Sequence, residues 1–132
     1  MNPVAQTIFG KEGNCFPACI ASVLEIPLEG MPNFCVEFPS RWHWEVNKWL
    51  AKNHGVVLLT ITPWDQDDLF PAFVTDTYHL MSGPAARGLQ HTIVALNGKL
   101  VHDPHPSGYG LIEVKEWDFF VVADPGRRDE DE

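Results

Sequence analysis

The dipeptide Asn97-Gly98 lies between two runs of strand character, "QHTIVAL" and "KLVHD". It is the strongest constraint on this chain. Both residues tolerate the left-handed backbone that a two-residue hairpin demands, so the flanking runs are expected to pair as adjacent antiparallel strands. "VVLLTI", "YHLMSG", "LIEV" and "WDFFVVA" are further strand candidates, and "TPWDQDD" reads as a loop rich in turn formers. All of these lie after residue 55, and the period before it is helical. Cys19, Ile20, Val23 and Leu24 recur at helical spacing behind Gly13-Asn14, with Pro27 as the stop. Trp42, Val46, Trp49 and Leu50 share one face of a second helix, with Ser40 as the expected cap and Gly55 as its end. Between the two helices, "PLEGMPNF" reads as a connection. Helices first and an antiparallel sheet second predict an α+β domain.

A chain of 132 residues with 45% hydrophobic content suits one domain, expected over residues 1–124, followed by a solvated acidic tail at 125–132. A net charge of −9 argues against a nucleic-acid partner, whose phosphates would call for clustered Lys and Arg. No stretch has the length of a membrane span, and "MNPVAQTIFG" lacks the pattern of a signal peptide. With three cysteines and no paired framework, free thiols in a cytoplasmic, reducing setting are the expectation.

The chemistry centres on Cys15. At the first turn of a helix its thiolate would feel the positive end of the dipole, which predicts a reactive thiol. His91 opens the strand "HTIVAL" as a candidate base. Asp103 ends the partner strand near the level of His91, with allowance for a bulge, as the group that orients it. Gln6, nine positions before Cys15, could return its amide toward the sulfur and, with the Cys15 backbone amide, hold an oxyanion. Nucleophile, base, orienter and oxyanion donors make an acyl-transfer centre that needs no cofactor or metal.

"QTIFGKEGNCFPACIASVL" and "HTIVALNGKLVHDPHPSGYG" resemble the two halves of papain-like cysteine peptidases, above all the bacteriocin-leader-processing (double-glycine) branch and small bacterial or phage relatives in its style. Residues 28–78 lie outside the likeness. The resemblance implies a papain-like fold, a peptide or protein substrate, and the roles of nucleophile for Cys15, general base for His91, orienter for Asp103 and oxyanion donor for Gln6. Two departures stand out: the Gln6 to Cys15 interval is longer than in papain-like enzymes, and Cys15 is followed by Phe16 where Gly is familiar. A papain-like binding or inhibitor module, and an acyltransferase on the same residues, are the alternative readings.

The remaining candidates have simpler readings. Cys19 and Cys35 are packing thiols, and zinc on Cys15, Cys19, Cys35, His102 and His105 is disfavoured because the cysteines lack paired spacing. His102 should point away from Asp103, while His105 is a candidate substrate contact. Trp44 lies off the apolar stripe of its helix, a candidate for a surface groove. "SGPAARG" is either a loop beside the site or an ordinary hairpin connection.

Overall fold

At the hairpin turn, Asn97 and Gly98 both adopt positive φ, 54° and 75°. This computed structural model describes residues 1–63 and 74–123. The turn joins β3 (Gln90–Leu96) to β4 (Lys99–His102), and a bulge at Val94/Ala95 shifts the register so that Val94 faces His102. The buried His79 accepts the Gly98 amide on Nε2 at 3.1 Å and so fixes the turn from the neighbouring strand.

Three more strands, β1 (Val56–Ile61), β2 (Tyr78–Pro84) and β5 (Glu116–Val122), complete a five-stranded antiparallel sheet of order β1-β5-β2-β3-β4. The last strand thus inserts between the first two. Successive side chains leave a strand on opposite faces, and both faces are covered. On one, Leu58, Leu80 and Val94 pack with Phe16, Cys19 and Ile20 of α1 (Cys15–Leu24) and with Val46 and Leu50 of α3 (Trp42–His54). On the other, Met81, Ile93, Ala95, Trp117 and Phe119 form a second core, against which Leu111 and Val114 pack.

The α+β class stands, with several local corrections. α3 begins at Trp42 with Arg41 at its N-cap position, so Ser40 does not cap it; Gly55 ends it in the left-handed conformation, as expected. α1 ends at Leu24, with Glu25 left-handed, before Pro27 is reached. Cys35 lies in a single helical turn, α2 (Phe34–Glu37), rather than in plain connection. "SGPAARG" divides between the end of β2 and the β2–β3 connection. "LIEV" is not a strand. The Ile112 and Lys115 amides bond the Pro84 and Ser82 carbonyls, each at 2.8 Å, and the segment crosses the sheet at Gly83. Trp64 and most of "TPWDQDD", and the acidic tail, lie outside the described residues. Among the described residues no helix is long and apolar enough to cross a membrane.

The crossing explains Gly83. A Cβ there would fall 2.0 Å from the Glu113 carbonyl oxygen, a backbone atom that cannot swing aside. Gly83→Ala should therefore destabilise the fold by about 2 kcal/mol or more, the range of core overpacking, as read by urea unfolding. An unchanged midpoint would contradict the close crossing.

Candidate active site

The start of α1 is built so that two backbone amides stay unpaired beside the thiol. A helix leaves its first four N–H groups without intrahelical partners. Here Asn14 N–H bonds the Ile8 carbonyl at 3.2 Å, and Pro17 has no N–H to satisfy. Cys15 and Phe16 remain, and both amides act on the Cys15 sulfur. The Asn14 side chain does not cap the helix as its position suggests. Its Oδ1 instead accepts the Thr7 and Ile8 amides, each at 2.9 Å, while Nδ2 donates to Thr7 Oγ1. The residue thereby folds the 7–14 loop back and keeps its carboxamide out of the space over the helix end.

That loop resolves the long interval between Gln6 and Cys15. Gln6 is buried and lines the same cavity as Cys15, a space of about 570 Å³ that His91, Thr92 and His105 also line. Its backbone N–H donates to the Pro104 carbonyl at 3.0 Å, which ties it to the segment after β4. One hydrogen of Nε2 goes to the Ile8 carbonyl at 2.9 Å, and the second is uncommitted among the described residues. A Cβ on Gly13 would crowd Ile8 O at 2.9 Å and Gln6 Nε2 at 3.3 Å, so the Gly13-Asn14 pair is required by this loop as well as by the helix start.

His91 Nε2 lies 2.6 Å from Asp103 Oδ1, and both side chains are only 3% exposed. An ionised carboxylate only accepts, so the proton of neutral His91 sits on Nε2 and Nδ1 carries a lone pair. Asp103 is held in turn by the His105 amide on Oδ1 at 2.9 Å and the Gly110 amide on Oδ2 at 2.8 Å. The bulge in the β3–β4 ladder brings it level with His91, as the hairpin implies. Burial pushes Asp103 up, but the bond from His91 and the two amides outweigh it and leave its pKa below the ordinary value. Burial pulls His91 down, with Asp103 only partly offsetting it.

One expectation changes sign. Burial raises the pKa of Cys15 even though the Thr92 amide and hydroxyl and the Phe16 and Cys15 amides all favour the thiolate. The helix start therefore does not make this thiol acidic. Desolvation of a charged sulfur outweighs the first-turn donors. With Cys15 raised and His91 lowered, the resting pair is neutral thiol and neutral imidazole. No hydrogen bond between Cys15 and His91 is formed among the described residues; Thr92, the residue after His91, is among the groups that act on the sulfur.

Thr92 was not legible as a site residue, because a threonine within a strand is ordinary β composition. It is buried, bonds Ser82 Oγ at 2.9 Å, and its carbonyl accepts the Cys19 thiol at 3.3 Å. Cys19 is thus a fully buried packing thiol, and Cys35 is exposed. His102 bonds the Val4 carbonyl at 2.8 Å, away from the cavity. His105 does reach the cavity, its ring edge-on to His91 at 6.2 Å; its Nδ1 accepts the Ser107 amide at 3.0 Å, leaving Nε2 as the free edge. Trp44 is exposed, and it is Trp42 that lines the cavity. Comparison with protein-family models, curated proteins and solved structures finds no match to this chain.

Two outcomes follow for this geometry. Asp103→Ala would strand the His105 and Gly110 amides and the His91 N–H, and should cost about 3 kcal/mol or more in chemical unfolding, since each of the three unpaired groups costs about 1–3. An unchanged midpoint would contradict this bonding. Alkylation of Cys15 by iodoacetamide should rise with pH through an apparent pKa above 9; an inflection below 8 would show that the first-turn donors prevail over burial.

Proposed function

We propose that this protein is a cysteine hydrolase of papain-like type that cleaves a peptide or isopeptide-type amide through a thioester. The observation that carries this reading is His91, held from behind by Asp103, in the same cavity wall as Cys15, with Gln6 in that wall and two unpaired helix-start amides acting on the sulfur. The three free thiols suit a reducing, cytoplasmic setting.

Neutral partners define the sequence of steps. Cys15 Sγ attacks the carbonyl carbon as its proton passes to His91 Nδ1, the nitrogen that Asp103 leaves free. Asp103 stays ionised and stabilises the imidazolium. The oxyanion receives the Cys15 amide and the second N–H of Gln6. The C–N bond then breaks, and the leaving amine takes the proton from His91. Water attacks the thioester while giving a proton to His91; the C–S bond breaks, and the departing sulfur recovers that proton. An amine in place of water would make the same site an acyltransferase.

A second reading, a binding module of the same fold, is favoured by one observation: among the described residues the Cys15 thiol makes no hydrogen bond to His91. Turnover separates the two. Release of amine from a panel of peptide amides should vanish in Cys15→Ala, which should keep the wild-type unfolding midpoint. It should fall about 10²- to 10⁴-fold in His91→Ala, and Gln6→Ala should lose about 10²- to 10³-fold in kcat. Because the base must be neutral, kcat/KM should rise with pH through a value below 6.5. Undiminished turnover in Cys15→Ala would refute the hydrolase, and absence of turnover across the panel, with a tight peptide ligand, would favour the binding module.

A further inference from the structure

The cavity does not end at the thiol. Its far wall is laid out by the register of the sheet, which works as a ruler. Thr92 pairs with Ser82 across β3 and β2, and Ser82 pairs with Glu116 across β2 and β5. Two strand spacings separate Thr92 from Glu116, about 10 Å. Asp118 follows two residues along β5 and so shares the face of Glu116; Trp117 and Phe119 between and beyond them belong to the opposite core. All these polar residues line the cavity, and Trp42 of α3 lines it too.

Asp118 is the unusual member. It is 5% exposed, and its one hydrogen bond among the described residues is the short 2.5 Å contact from Thr60 Oγ1 to Oδ1. Oδ2 has no hydrogen-bond partner among the described residues, yet it is not among the fully enclosed unpaired atoms, so it opens on the cavity. Neither Asp118 nor Glu116 belongs to an ion pair among the described residues. Lys11, Arg87 and Lys115 also line the cavity; Lys115 bridges Glu113 at 3.1 Å, Arg87 donates to Ser107 Oγ at 3.3 Å, and none of the three pairs with Asp118 or Glu116 among the described residues. Among the described residues, His43, stacked on Trp42, exerts a positive influence on Asp118.

We infer that Asp118 and Glu116 are specificity residues that take a cationic substrate group, an ammonium or guanidinium, with the face of Trp42 beside it. This rests on the hydrolase reading and names its substrate class. The span from Thr92 to Glu116 matches an extended lysine or arginine side chain reaching from a carbonyl held at Cys15. A buried carboxylate without an ion-pair partner is held toward its neutral form, and burial does push Asp118 up, with Thr60 and His43 only partly offsetting it. An ammonium group on Oδ2 restores the charged state and forms a charge-assisted bond, and an aromatic face adds to it.

The test compares two chloromethyl ketones, one derived from lysine and one from norleucine, which differ in the terminal charge. Alkylation of Cys15 in the full chain is followed by intact mass and peptide mapping. The lysyl reagent should react about ten-fold faster than the norleucyl one, the factor that one charged hydrogen bond supplies. That ratio should approach one in Asp118→Asn/Glu116→Gln, and it should fall part of the way in Glu116→Gln alone, a milder change that covers a misfolded double variant. A ratio of one in the wild type overturns the inference. Failure of the thiol itself is separated by titrating Cys15→Ala calorimetrically with lysinamide and norleucinamide. Tighter binding of lysinamide supports the acidic wall whatever the thiol does, and equal binding overturns it.

Discussion

The carboxylate of Asp103 is where the strand, the hairpin and the returning loop are fixed to one another. It binds the imidazole at the start of β3 and the amides of His105 and Gly110 beyond β4, all within a nearly solvent-free pocket. The bulge at Val94/Ala95 makes this closure possible, since it lets the chain after β4 come level with His91. The same segment then passes over Gly83 to cover the second sheet face. Through Pro104 it also holds Gln6. A single buried anion thus couples His91, Gln6 and one of the two cores.

Cys15 is arranged by a different economy of hydrogen bonds. Asn14 spends its side chain on the 7–14 loop, and Pro17 withholds a donor, so that the helix start offers two amides to the sulfur. These donors would lower the thiol pKa in open solvent. Here burial outweighs them, and it also lowers His91, so both partners rest uncharged. A neutral pair is what the proposed hydrolase would need, with the proton moving only when a carbonyl arrives.

Much of this was legible from local chemistry. Asn97-Gly98 dictated the hairpin because few residue pairs accept two successive positive φ values, and the hairpin in turn set Asp103 against His91. Gly55 ended α3 for the same backbone reason. What could not be read depends on contacts between distant segments. "LIEV" has strand composition but is pulled out of the ladder by the amide bonds at Ser82 and Pro84. Asn14 looks like a helix cap and serves the preceding loop. The sign of the Cys15 shift depends on how deeply the thiol is covered, which no spacing reveals, and Thr92 gains its place only because β3 passes beside α1.

The central claim is that Cys15 and His91 act together to form and release an acyl group. Its most direct test is to mix the protein with p-nitrophenyl acetate and follow p-nitrophenol release and intact mass together. The account gives a burst of one equivalent per chain, a mass increase of one acetyl group that maps to Cys15, and decay of that adduct by water, slowed when His91 is replaced by Ala. An acetyl group found elsewhere on the chain, or a Cys15 adduct whose formation and decay ignore His91, would contradict it.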